Sequence, residues 1–182
     1  MSAAPGLVSG HDLMVAAGQL GRRPQAMSAV AARCPFEFPA VVEDLPYDPE
    51  GRPFPTLYYC TCPTLVAAVA RLESAGDVAV WTRRLAADAA LALSVLGATT
   101  AETARRRELA DLYPRPMLDG GASLGTGVGG VRDARAVKCL HAHVAHALAS
   151  PGYLFGDAVL AELDDPWCDD RRCAAWLPDG GA

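Results

Sequence analysis

Apolar residues recur at helical intervals through most of the chain, and β-type runs are confined to its first third. His11 to Leu20 has helical spacing and stops at Gly21, with Arg22 and Arg23 behind it. Gln25 to Arg33 is alanine-rich but short and bounded by Pro24 and Pro35, and is read as a strand. Ala40 to Leu45, with Val41 and Val42, is a second strand. Pro46 to Pro55 centres on Asp48, Pro49, Glu50 and Gly51 and is a turn region. Thr56 to Cys62 holds Thr56, Tyr58, Tyr59 and Thr61 and is the clearest strand. Strand alternation puts Tyr58, Cys60 and Cys62 on one face.

Helical periodicity then takes over. Pro63 suits a first helical position, with Thr61 or Cys62 near the N-cap, and Leu65, Val69 and Leu72 form a stripe up to Gly76. Asp77 is expected to cap a helix carrying Val78, Trp81 and Leu85. Asp88 is expected to cap another, which ends near Gly97. Thr99 and Glu102 then read as the capping box of a separate helix towards Tyr113. Pro114 to Gly130 is a glycine-rich loop, and Asp133 is expected to cap a helix over Ala134 to Ala149. Gly156 to Leu163 and Pro166 to Trp176 are short helices. The predicted fold class is α+β: a small antiparallel sheet of about three strands near the N-terminus, covered by several helices. A single domain is expected over 1–182, with its core at about 11–176 and frayed termini at 1–10 and 177–182.

Composition narrows this reading. A chain of 182 residues that is 51% hydrophobic buries enough surface to fold without disulfides or metals. A net charge of −5 gives no basic nucleic-acid footprint, and Arg105, Arg106 and Arg107 are expected on a solvated face. No stretch reaches the about 20 apolar residues of a membrane span, and no signal-peptide pattern opens the chain. A cytoplasmic protein with reduced thiols and without a membrane partner is expected; its partner is unidentified, a protein being one option.

The chemistry lies in six cysteines and four histidines. The string VKCLHAHVAHALA holds Cys139, His141, His143 and His146. At about 100° per residue, Cys139, His143 and His146 share a helix face, while His141 points away. Thiolate and imidazole are good donors to zinc or iron, but one helix does not close a tetrahedral site. Cys34 and Cys62, each followed by proline, are the expected long-range ligands. A helix N-terminus would favour the Cys62 thiolate. The competing reading makes the cysteines core hydrophobes. Cys60 is read as packing with a spare-ligand option. Cys168 and Cys173 are read as packing beside Trp167 and Trp176.

The spacing of Gly125, Gly127 and Gly130 matches GxGxxG, but no strand precedes it, so a dinucleotide site is rejected. A weaker expectation is an anion held by Gly127, Gly130, Arg132 and Lys138. No GxSxG elbow supports a serine hydrolase. A Cys139–His143 nucleophile pair lacks an evident oxyanion hole.

The strings RCPFEFPAVVEDLPYDPEGRPFPTLYYCTCP, RLESAG, GGVRDARAVKCLHAHVAHALA and LFGDAVLAEL resemble a bacterial, mainly actinobacterial, family catalogued as domain of unknown function 501. The resemblance runs from about Leu20 to Leu163. It departs between Ala89 and Leu124, where an alanine-rich segment replaces a polar, arginine-rich helix. It implies a cytoplasmic single-domain protein and a pattern that includes Cys34, Cys139, His141 and His146, with histidine replacing Cys62 in some relatives. The expectation is a metal-binding protein of structural or regulatory role. Its ligands are drawn from Cys34, Cys62, Cys139, His141, His143 and His146, with zinc first and an iron–sulfur cluster second. The alternatives are a metal- or thiol-dependent enzyme for a phosphorylated or anionic small substrate, and a metal-free scaffold.

Overall fold

The computed structural model describes residues 8–177. The expected frayed ends therefore lie largely outside it. Within it, Ser9 caps the first helix, its Oγ accepting from Asp12 N at 3.0 Å. That helix, α1 (Gly10–Leu20), ends as expected at Gly21, which takes a left-handed φ of 65° that glycine adopts without strain.

Three strands follow: β1 (Met27–Arg33), β2 (Pro39–Asp44) and β3 (Tyr58–Cys60). They form one antiparallel sheet in the order β1-β2-β3. The central strand is buried along its whole length. Its outward carboxylate Glu43 is covered by Arg105, which donates to it at 2.8 and 2.9 Å, and by Ser28 Oγ at 2.9 Å. β3 is shorter than the predicted Thr56–Cys62. Thr61 N and Cys62 N both turn to Ala40 O, at 2.9 and 3.3 Å, so the chain leaves the ladder there. Cys60 and Cys62 consequently do not continue one strand face.

The helices are α2 (Pro63–Ser74), α3 (Asp77–Ala87), α4 (Ala89–Leu112), α5 (Leu140–Ala149) and α6 (Leu154–Leu160). Cys62 is the N-cap of α2, as expected; Gly76, not Asp77, occupies that place in α3. Two expected helices are one. α4 runs unbroken through Gly97, because Val95, Ala98, Glu102, Arg106 and Leu109 form one buried stripe at helical spacing. Glu102 is turned into that stripe and caps nothing. The region 131–139 is not helical, and α5 starts at Leu140. The segment 166–176 forms only a 3₁₀ turn, Arg172–Trp176, which packs on α1.

The core lies between the inner sheet face, α2, α5 and α6. Val41, Leu65, Val69, Leu140, Val144 and Phe155 are all fully buried there. Among the described residues no single helix is long and apolar enough to cross a membrane.

Candidate functional site

The late start of α5 reorganises every expected ligand in that segment. Cys139 becomes the N-cap and adopts extended backbone (φ −155°, ψ 151°), with no side-chain cap bond of its own. The first amides of α5 are left without intrahelical partners. Glu73, from the last turn of α2, takes them: its Oε1 accepts from Leu140 N at 2.5 Å and His141 N at 3.3 Å. The same oxygen lies 3.1 Å from His141 Nδ1. His141 Nε2 lies 3.2 Å from Val66 O. Both ring nitrogens thus face oxygens of α2, which fixes the ring plane. A carboxylate at a helix N-terminus is also favoured by the helix dipole. Sequence reasoning passed over Glu73, although it sits inside the RLESAG string.

His141 and Cys139 border a cavity of about 280 Å³ where β3 meets α2 and α5. Thr56, Tyr58, Tyr59, Cys60, Val66 and Ala142 complete its wall. The Cys60 thiol donates towards His141 O at 3.6 Å. Burial pushes the Cys60 thiol well above the ordinary thiol range, and neighbouring Cys139, Cys62 and Glu73 push it further. Burial also raises the Cys139 thiol. The amide of Ala142 opposes the shift, Glu73 reinforces it, and Lys138 opposes it again. Both wall thiols are therefore protonated at neutral pH, which makes them poor nucleophiles. The cavity is a largely apolar pouch in which His141, held by Glu73, and Thr56 are polar wall members.

His143 and His146 lie on the opposite, inward side. Both are buried. His146 Nδ1 meets Glu102 Oε1 at 2.9 Å, and Glu102 Oε2 accepts from Arg106 at 2.9 Å. Arg106 also donates to Thr126 O and, at 2.7 Å, to Pro55 O. Two of the three arginines expected on a solvated face are thus engaged, Arg106 in the interior and Arg105 on Glu43. A buried carboxylate with cationic and imidazole partners is costly to break, because either partner alone would leave charge uncompensated. His143 Nδ1 is bonded to Tyr153 Oη at 2.6 Å, and Phe155 packs on its ring at a centroid distance of 4.6 Å. Burial pulls His143 down to about 3, and His146 acts in the same direction. These two histidines join the helices to one another; they do not face the cavity.

Cys34 and Cys62 stand elsewhere again. Cys34 follows β1, where its N–H donates to Phe38 O at 2.9 Å, and Cys62 is the N-cap of α2. The Cys62 thiol acts on Cys60 and is acted on by Cys34 and Cys168, whereas Cys139 acts on Cys60 and is acted on by Glu73. The expected ligand set is thus split three ways: Cys139 with His141, His143 with His146, and Cys34 with Cys62. Long-range packing, which spacing does not encode, made the division. Among the described residues no group of three or more His, Cys, Asp or Glu side chains is arranged to hold a metal ion.

The glycine loop does not present an anion cradle. Gly127 N donates to Val131 O at 2.7 Å and Gly130 N to Gly127 O at 2.9 Å, so both amides are spent on the loop. The helix that should point its N-terminus at the anion begins only at Leu140. Arg132 and Lys138 are exposed. Close packing accounts for two of the glycines: a Cβ on Gly127 would meet Thr99 Oγ1 at 2.7 Å, and one on Gly130 would meet Pro55 Cβ at 2.6 Å.

Comparison with known proteins finds no match among curated proteins or among solved structures. A family model described as protein of unknown function (DUF501) matches residues 30–161. That span runs from β1 through α6 and contains Cys34, Cys62, Glu73, Cys139 and His141, but not Cys168 or Cys173. With most of the chain matched, the protein belongs to the DUF501 family.

Proposed function

We propose that the protein is a small-molecule-binding domain whose ligand seats in the cavity between β3, α2 and α5. The observation that carries this reading is a pouch of about 280 Å³ lined mostly by aromatic, aliphatic and thiol groups, with His141, held by Glu73, and Thr56 as polar members of its wall. Binding pockets are commonly apolar clefts with a few placed polar groups. The ligand class that fits is a small aromatic or aliphatic body that packs against the His141 ring, whose two nitrogens are held by Glu73 and Val66. A thiol enzyme is not favoured, because burial holds Cys139 and Cys60 protonated.

Ligand-observed NMR with a set of small phenols, indoles and aromatic amides tests this. Fragments should bind the native chain, bind more weakly to His141→Ala, and be excluded by Val66→Trp, which fills the pouch. Equal binding to all three folded proteins, or no binding to any, would overturn it.

A further inference from the structure

β3 borders the cavity and is the last strand of the sheet, so it pairs on one side only. Its pairing fixes which backbone groups face outward. Asp44 N donates to Leu57 O and Thr61 N to Ala40 O, so Leu57, Tyr59 and Thr61 bond towards β2. In an antiparallel ladder the alternate residues turn their N–H and C=O away from that neighbour. Those residues are Tyr58 and Cys60, which stand opposite Glu43 and Val41. Among the described residues neither the N–H nor the C=O of Tyr58 or Cys60 has a hydrogen-bond partner. Both residues also line the cavity. Their side chains lie on the α5 side, the Cys60 thiol on His141 O and the Tyr58 ring edge-on to His146 at 5.5 Å.

We propose that the free edge of β3 receives an extended peptide segment of a partner protein as an added strand, with one apolar side chain of that segment seated in the pouch. This rests on the pouch being a binding site, and names what carries the apolar body. In an added antiparallel strand, the residues opposite Tyr58 and Cys60 each exchange both backbone hydrogen bonds with the edge. Residues directly opposite one another in a ladder share a face, so their side chains are directed towards α5 and the pouch. In this mode the main-chain bonds supply affinity and the side-chain pocket supplies specificity.

The opposite edge of the sheet does not offer this. β1 pairs with β2 through register shifts between Met27 and Ala29, Val30 and Ala32, and Ala32 and Arg33, and such bulges blunt an edge against further pairing. β3 runs in regular register, Val41 opposite Cys60, Val42 opposite Tyr59 and Glu43 opposite Tyr58. The chemistry of the segment is also constrained. Glu73 already occupies the first amides of α5 beside the pouch, so a terminal carboxylate would find no donors there and would meet like charge. The segment is therefore an internal one. Lys138 is exposed and stands one position before the wall residue Cys139, whose thiol feels its charge. An acidic residue flanking the apolar anchor complements that lysine.

Fluorescence anisotropy and amide hydrogen exchange on the native full-length chain test this with labelled peptides blocked at both termini. The peptides carry a central Phe, Tyr, Leu or Ala between Thr and Val, with either Asp or Ser at the outer position. Those with a Phe, Tyr or Leu anchor should bind about ten-fold or more tightly than those with Ala. Binding should slow exchange at the Tyr58 and Cys60 amides about ten-fold or more, an effect that a small phenol in the pouch should not produce. Methylating the anchor's own backbone nitrogen should weaken binding about ten-fold, whereas methylating the next nitrogen, which faces away from β3, should change it little. Lys138→Glu should weaken the Asp peptides and leave the Ser peptides unchanged; an equal effect on both overturns the acidic flank. Phenol binding with no peptide binding overturns the added strand and leaves the pouch. Binding of neither overturns both. Peptide binding with unaltered exchange at Tyr58 and Cys60 also overturns the added strand.

Discussion

Asp44 ends the central strand as a buried carboxylate, with the exposed Arg22 as the cation that acts on it. Burial pushes it up to about 7; Arg22 opposes the shift and Glu43 adds to it. His143 is displaced the other way, down to about 3. The two act oppositely on stability. Asp44 binds a proton more tightly when folded, so its contribution is complete below about pH 4 and is lost as pH rises through about 7. His143 binds a proton less tightly when folded, so its contribution is complete above about pH 6.5 and is lost as pH falls towards about 3. Between about pH 4 and 6.5 they offset each other, and that stretch of the stability profile should be flat. Asp44→Asn should expose the histidine: urea denaturation should show stability falling steadily below about pH 6.5. At pH 8 the variant should exceed the native chain by about 1–4 kcal/mol. A variant no more stable than the native chain at pH 8 would contradict this account of Asp44.

Two glycines show how differently the helices are held. Gly97 lies in the interior of α4, exposed, with open space where a Cβ would project. It survives there because the buried stripe from Val95 to Leu109 keeps the helix in register on both sides. Glycine costs about 1 kcal/mol against alanine in a helix, too little to break one whose neighbours are packed. Gly97→Ala should therefore raise stability by about 0.5–1 kcal/mol. Gly156, in α6, lies against α5, where a Cβ would stand 2.4 Å from His143 O and 2.8 Å from Ala147 Cβ. Gly156→Ala should prise α6 from α5 and cost about 1–3 kcal/mol. Thermal unfolding of the pair should move in opposite directions. The same interlocking sets helix starts that local sequence does not mark. A carboxylate from α2, not the local Asp133, satisfies the first amides of α5, and nothing within the segment 133–149 announces a partner 67 residues away.

At the scale of the molecule, the first and last of the described elements are brought together. The 3₁₀ turn Arg172–Trp176 packs on α1, and a Cβ on Gly18 would stand only 2.2 Å from the Trp176 ring. That seat positions Cys173 beside Gln19 and the start of β2. Gly18→Val should displace the tail and open Cys173 and Cys168 to solvent. Titration of the folded protein with a water-soluble disulfide reagent should then show faster thiol reaction than in the native chain, with helix content unchanged. Unaltered thiol kinetics would mean that Trp176 does not hold the tail.

Local physical chemistry made much of this protein legible. Prolines and glycines at 21, 35, 63 and 76 punctuate the elements where backbone sterics demand it, and alternation against helical period separated the sheet from the helices. These effects act within a few residues, so the chain carries them in order. The site obeys different rules. Whether Cys139 faces His141 or His143 depends on where α5 begins, and Glu73 of α2 settles that. Whether Cys62 continues the strand face of Cys60 depends on where β3 leaves the sheet, and Ala40 O settles that. Whether Cys173 is filler or a neighbour of Cys34 and Cys62 depends on a tail docking across α1. The sequence by itself determined the residue types and the α+β order of elements. Packing between distant segments decided which thiol, imidazole and carboxylate groups meet, because side-chain encounters across the fold leave no periodicity in the chain.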